Sequence, residues 1–161
     1  MNSIAQHIDK NFLAAQDVDE KVTISAVPAE MLDQIWDTVS GFLSPAVDRS
    51  HGRWSMPSLK EAVREGKQQL WIVYQGNDPV KGVATTEIQD YPNKRMLAIQ
   101  YLGGEDLDKW AFSMLEILEE FATATNCKGI EATARKGFWK WMKDYNYEEA
   151  YTVFQKEISS E

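Results

Sequence analysis

The chain has 161 residues, of which 43% are hydrophobic, so we predict one folded domain with a proper core and exclude a disordered chain. Its 17 basic and 25 acidic residues give a net charge of −8, which argues against broad binding to nucleic acid or to an anionic membrane. The single cysteine, Cys127, excludes an internal disulfide and a multi-cysteine zinc site, and it suits a reducing compartment.

Residues 1–20 are predicted to form an arm ahead of a domain over residues 21–161. Ile4, Ile8 and Phe12 recur every four residues, which is typical of a short amphipathic helix. Three interpretations of the arm are open: a helix folded back onto its own domain, a segment that docks on a partner, and a loose terminus.

The first half of the domain is predicted to contain three strands and two helices. A strand over 22–27 precedes a helix over 29–43 and an irregular loop over 44–57. A capping box at Ser58 to Glu61 is predicted to open a short helix that Gly66 ends. Strands over 69–75 and 81–89, joined by a turn at 76–79, then predict an antiparallel hairpin.

The most informative stretch runs from residue 94 to residue 134. An apolar strand over 96–102 is predicted to close in a Gly103-Gly104 turn, and a long amphipathic helix follows, with Asp106 placed to cap it and Asn126 to end it. A second strand over 129–134 completes a right-handed parallel crossover. The loop before the helix of such a unit is the usual anion-binding site.

The end of the chain is predicted to form a helix over 137–145 and a strand over 150–158. One helix face carries Lys136, Trp139, Lys140 and Lys143, and we name it the basic face. It is either a solvated helix face or a docking patch for an acidic protein or a nucleic acid. The other face is predicted to lie in the core and consists of Phe138, Trp141, Met142 and Tyr145.

This order of elements predicts an α/β fold with a mixed, mostly antiparallel sheet and one strand–helix–strand crossover. Over residues 22–158 it resembles the GNAT acetyltransferase superfamily, through residues 82–84, the strand end at 100–104, the long helix and the closing segments at 146–147 and 151–154. It looks most like a divergent group met in bacteriophage genomes, in which a Gly-Gly turn and a Trp-rich helix recur and the fold also serves as a virion component. The resemblance implies that the protein is found in a host cytoplasm or a virion.

The resemblance also allows the coenzyme A loop to be compared with that of active members. They hold the pyrophosphate in a Q/R-x-x-G-x-G/A loop, which corresponds here to residues 106–111. Only Ala111 fits, because Asp106 replaces the basic or amide residue and Lys109 replaces a glycine. A degenerate site with no cofactor is therefore expected. If acetyl-CoA does bind, the expected contacts are Leu102, Gly103, Gly104, Lys109 and Ala111.

The catalytic positions implied by the resemblance are also altered. Active members often carry a tyrosine general acid where this chain has Met142, which cannot give a proton; Tyr145 would substitute only with a shifted helix register. Glu87 is either a general base acting through water or a solvent-facing strand residue. His51 is expected to be a surface loop residue, and no metal site is expected.

Three functions are open at this point. The lead hypothesis is a GNAT-fold protein with a degenerate coenzyme A site that acts as a structural or interaction component of a virion, through the arm and the basic face. Its partners would be further copies of the chain or virion proteins, with no membrane. The rival is an acetyl-CoA-dependent N-acetyltransferase using Glu87 and Tyr145. The third is a nucleic-acid-binding accessory domain using residues 136–143.

Overall fold

A six-stranded sheet forms the centre of the computed structural model, which describes residues 16–17 and 22–158. The strands lie in chain order: β1 (Gln16–Asp17), β2 (Thr23–Ala26), β3 (Gln69–Tyr74), β4 (Gly82–Asp90), β5 (Arg95–Gly104) and β6 (Gly129–Ala132). Each neighbouring pair is antiparallel except β5 and β6, which are parallel. The predicted α/β fold with a mixed, mostly antiparallel sheet and one crossover is therefore confirmed.

Helices cover both faces of the sheet. They are α1 (Leu32–Asp48), α2 (Met56–Arg64), α3 (Leu107–Ala124) and the single turn α4 (Trp139–Met142), which has a 3-10 turn on each side. Trp36 and Leu43 of α1 and Leu59 of α2 pack on one face against Leu70 and Val83. The other face packs against α3 and includes Trp110, Met114, Leu118, Phe121, Ala84, Leu97 and Ile99. These two apolar clusters are the core.

Helix α1 continues past its predicted end and takes in the first part of the predicted loop. It extends through Pro45 to Asp48 because Leu43 and Val47 are buried on the same face as Val39. That burial offsets the backbone hydrogen bond that Pro45 cannot donate.

Helix α2 begins earlier than predicted. Its N-cap is Ser55, whose hydroxyl accepts from the Ser58 N–H at 3.1 Å while the Ser58 hydroxyl accepts from the Ser55 N–H at 2.9 Å. The predicted capping box at Ser58 to Glu61 is therefore wrong by one turn, because both serines suit the role and Pro57 favours the first turn of a helix. Gly66 follows the helix with a φ of 81°, as predicted.

The predicted span of the long crossover helix α3 is confirmed. Asn126, with a φ of 64°, ends it. The Gly103-Gly104 turn is wrong: both glycines are the last residues of β5 and pair with Val83 and Gly82 of β4.

The predicted strand over 150–158 is not part of the sheet. Every residue of this segment is exposed, and none of them forms a strand in the described part of the chain. The four side chains predicted for the core of the 137–145 helix are only half-buried, because this segment lies over the start of α3 and not between two layers. They are Phe138, Trp141, Met142 and Tyr145.

The arm residues Ile4, Ile8 and Phe12 lie outside the described residues, so the division at residue 20 stays a prediction. No helix in the described ranges is long and apolar enough to cross a membrane.

Candidate functional site

The sheet opens at the C-terminal end of β5, directly before α3. Strand β5 pairs with β4 as far as Gly104, but it pairs with β6 only over residues 96–99. A register shift leaves Gln100 as an extra residue between Ile99 and Tyr101, and such bulges bend a strand. The last five residues of β5 therefore diverge from β6, and the first turn of α3 lies at the resulting opening.

The glycines at this opening are required by packing. A Cβ added to Gly104, whose φ is 146°, would lie 2.4 Å from the Lys81 carbonyl oxygen. A Cβ on Gly82 would lie 2.4 Å from the Trp110 ring, and one on Gly103 would lie 2.7 Å from the Phe42 carbonyl oxygen. The absence of side chains here is thus explained by close approach within the protein, without a phosphate.

The backbone of the loop is held by its neighbours on both sides. The Glu105 N–H donates to the Lys81 carbonyl at 2.7 Å, and the Glu105 carbonyl accepts from Nε1 of the fully buried Trp110 at 2.8 Å. Lys109 donates its N–H to the Asp106 carbonyl at 2.8 Å. These contacts fix the loop to the start of β4 and to the first turns of α3.

Asp106 occupies the N-cap position but does not cap the helix. It has a left-handed backbone, with a φ of 54°, and its carboxylate makes no capping hydrogen bond. Its Oδ2 atom instead lies 3.8 Å from Nζ of Lys81, whose side chain is 17% exposed. The predicted capping role is therefore wrong, because the left-handed backbone and the Lys81 charge favour an ion pair with Lys81, directly before β4.

Asp108, in the first turn of α3, is engaged by α4. Its Oδ1 atom accepts a hydrogen bond from Nε1 of Trp141 at 3.1 Å and lies 4.0 Å from Nζ of Lys140. The Lys140 ammonium also lies 4.4 Å from the centre of the Trp141 ring, within the range of a cation–π contact. We call Lys81, Asp106, Asp108, Lys140 and Trp141 together the loop corner.

The two candidate catalytic side chains are not brought together. Glu87 accepts hydrogen bonds from Nε2 of Gln68 at 2.6 Å and from Nε2 of Gln89 at 2.8 Å. By the alternation of β4, Glu87 shares the face of Val83, which α1 covers. Tyr145 lies on the opposite face, with its ring centre 5.0 Å from that of Phe112 of α3.

Tyr145 keeps its phenolic proton at neutral pH. Burial raises the pKa of Tyr145, and the Glu116 carboxylate raises it further through its charge and a hydrogen bond. The neutral phenol is thus oriented by α3 and not by the opening of the sheet. Met142, where the resemblance puts the usual acid, is half-buried.

Gln68 makes a polar contact with Glu87 that the sequence did not lead us to expect. It is 2% exposed, and its Oε1 atom has no hydrogen-bond partner within residues 22–158. The hairpin register pairs Gln69 with Thr86, which places Gln68 next to Glu87. The register of the predicted hairpin could therefore have identified this contact between Gln68 and Glu87.

The remaining candidate residues do not form a cluster at the opening of the sheet. Ala111 is buried in the core and Lys109 is exposed. Of the basic face, Lys136 and Lys143 are exposed, Trp139 is half-buried, and Lys140 belongs to the loop corner. His51 is exposed, and no group of three or more potential metal ligands occurs in the part of the chain that the structure describes.

The fold is similar to that of several solved acetyltransferases. An aminoglycoside acetyltransferase from an uncultured soil metagenomic sample superimposes with a TM-score of 0.64 at 14% identity, over 88% of this chain and 99% of the other. A GNAT family acetyltransferase from Staphylococcus aureus gives 0.61 at 12% identity, over 86% and 99%. The chain has the GNAT fold. A transcriptional regulator from Bacillus halodurans also shares this fold, with a TM-score of 0.60 at 14% identity, over 85% of this chain and 99% of the other.

No family model and no curated protein matches the sequence, so the GNAT likeness is one of three-dimensional structure. At identities this low a shared fold does not carry a shared activity. The side chains at the opening of the sheet must therefore be the basis of any functional argument.

Proposed function

We propose that this GNAT-fold chain does not use acetyl-CoA and acts as a structural or interaction component, in a virion. The observation that carries the proposal is the engagement of Asp106 and Asp108 at the start of α3. This is the place where the resemblance puts the pyrophosphate. In this chain the place is taken by two carboxylates with partners of their own.

The Asp106 and Asp108 carboxylates of the loop corner oppose a diphosphate, and Lys81 and Lys140 offset part of that effect. Carboxylates at a helix N-terminus stabilise the helix by about 0.3–1 kcal/mol each, so they replace an anionic ligand there. Two like charges 4 Å apart repel by about 1 kcal/mol in water and about 4 kcal/mol near a protein surface. Asp106 and Asp108 have side-chain exposures of 53% and 78%, so solvent screening favours the lower figure. A loss of about 1.4 kcal/mol of binding free energy already weakens binding tenfold.

The geometry of the catalytic candidates also supports this proposal. Glu87 and Tyr145 lie on opposite faces of the sheet, and both oxygens of Glu87 already accept hydrogen bonds. A base and an acid acting on one substrate have to reach the same reacting group. The described side chains do not provide that arrangement.

Protein partners are favoured over nucleic acid as what the chain contacts. The net charge is −8, and Lys140 of the basic face already contacts Asp108 and Trp141. Exposed apolar side chains are instead concentrated after residue 150, and such surfaces mark protein contacts.

Calorimetry with acetyl-CoA tests the proposal. Wild type should give no binding heat, whereas Asp106→Asn with Asp108→Asn should bind measurably, because the charges are removed while Asn keeps the Trp141 acceptor and tolerates the left-handed backbone. Asp37→Asn with Asp48→Asn is the matched control: the same charge change on the exposed side of α1, with no binding expected. Saturable binding to wild type would overturn the proposal in favour of the acetyltransferase. No heat for the first variant would show that the carboxylates are not what blocks the site.

A further inference from the structure

We propose that the basic face docks a short acidic segment of a protein partner, whose carboxylates pair with Lys136, Lys140 and Lys143. This inference rests on the interaction role within the proposed function and names the chemistry of the partner. Its test uses no coenzyme A, so the docking surface and the loss of the cofactor can fail separately.

The positive charge of this acidic chain is concentrated just after β6. Four of its 17 basic residues lie within the nine residues 135–143, although the net charge is −8. No acidic residue occurs between Glu131 and Asp144. The segment therefore carries a local charge opposite to that of the whole chain, as expected for a surface that selects an anionic partner.

The cations share one face, and most of their charge is not compensated. Helical turns run without a break from residue 136 to residue 145, so Lys136, Lys140 and Lys143 lie on the same side, and all three are exposed. Lys140 lies 4.0 Å from Asp108, but neither of the other two has a carboxylate within ion-pair distance in the part of the chain that the structure describes. Carboxylates from another molecule would supply the missing partners.

The basic face is presented by a segment that is fixed to α3. Nε1 of Trp141 donates to Oδ1 of Asp108 at 3.1 Å, and the Tyr145 ring centre lies 5.0 Å from that of Phe112. The lysines are therefore held near one another before a partner arrives, which lowers the cost of ordering on binding. Trp139, which is half-buried, adds an aromatic ring of the kind that anchors protein interfaces.

The extent of the basic face favours a short acidic protein segment over a nucleic acid. Residues 136–143 span only about 12 Å at the rise of helical turns, and Glu131 and Asp144 bound the segment in sequence. A nucleic acid carries a phosphate about every 3.4 Å along each strand, so its further phosphates would meet the acidic remainder of the chain. A few carboxylates followed by uncharged residues avoid that repulsion.

Fluorescence anisotropy with a labelled oligoglutamate peptide tests the docking surface. We expect saturable binding at low salt that weakens as salt is added, because salt screens exposed charges. Lys136→Gln with Lys143→Gln should raise the dissociation constant at least about threefold. Lys94→Gln with Lys128→Gln is the matched control, since both lysines are exposed and lack an ion pair among the described residues, and it should leave the dissociation constant unchanged. No binding by wild type, or equal weakening by both variants, would overturn the proposal.

Two further measurements test the place of binding and the class of partner. In a nuclear magnetic resonance titration with the same peptide, the backbone N–H signals of residues 135–143 should shift, and shifts confined to other residues would contradict the proposal. A labelled oligothymidylate of equal length should bind more weakly than the peptide. Equal or tighter binding of the oligothymidylate would overturn the proposal in favour of a nucleic-acid surface.

Discussion

At the scale of single residues, the opening of the sheet is shaped by close contacts within the protein. Gly82 leaves room for the Trp110 ring, and Gly104 leaves room for the Lys81 carbonyl. Trp110 in turn holds the Glu105 carbonyl with its indole N–H. These contacts form one unit with the Lys81–Asp106 ion pair, so the loop is part of the packed structure.

We predict that Gly104→Ala destabilises the protein by about 1–3 kcal/mol, because its Cβ would collide with backbone and its φ of 146° is unfavourable for alanine. Gly137→Ala is the matched control, since a Cβ there meets nothing within 4 Å, and it should change stability by less than about 0.5 kcal/mol. Urea unfolding of both variants measures the difference. Equal stability of the two would show that packing does not require Gly104.

Tyr147 gives a prediction for alkaline pH. Burial raises the pKa of Tyr147 from 10.0 to about 12, and the charge of Glu119 adds to the shift. The unfolded chain therefore loses this proton first, so the free energy of unfolding is unaffected below pH 10 and falls as the pH rises from 10 to 12. Tyr147→Phe should remove up to about 2 kcal/mol of that fall, as measured by urea unfolding at rising pH. If wild type and variant lose stability in parallel above pH 10, the phenol is not the cause.

At the scale of elements, a helix or strand could be predicted where residues close together in sequence determine it. The order strand, helix, strand over 96–134 was predicted correctly because α3 repeats its apolar residues at helical spacing, whereas the Gly103-Gly104 turn and the Asp106 cap inside it were not. The start of α2 was misplaced because Ser55 and Ser58 both suit an N-cap. The end of α1 was misplaced because a proline usually stops a helix, whereas the burial of Val47 extends it.

The last predicted strand shows a different limit. Residues 150–158 have the alternation of a strand, but a strand needs a neighbour to pair with, and sequence pattern does not specify one. The described single chain supplies none, so the segment stays exposed.

The candidate site was only partly predictable for a similar reason. The resemblance identified Asp106 and Lys109 as departures from the coenzyme A loop, and both do lie at the start of α3. The partners of the carboxylates came from elsewhere: Lys81 precedes β4, and Trp141 lies in α4. Contacts between residues so distant in sequence require the fold to be known first.

At the scale of the whole molecule, the chain keeps the GNAT architecture, and we propose that its own side chains take over the place of the phosphate. The sheet, both core clusters and the crossover form the shared fold. The loop corner, by contrast, carries the chemistry that would decide cofactor binding. Under our proposal fold and activity are separable, because the core does not depend on what the loop binds.

A nuclear magnetic resonance titration of the wild-type protein with acetyl-CoA tests this account most directly. The backbone N–H signals of residues 104–109 report on the place where a pyrophosphate would lie. We predict that these signals do not move at about 1 mM acetyl-CoA, a concentration that would occupy nearly all of a site with a dissociation constant near 10 µM. Saturable shifts confined to these residues would show that the loop still binds the cofactor and would contradict the account.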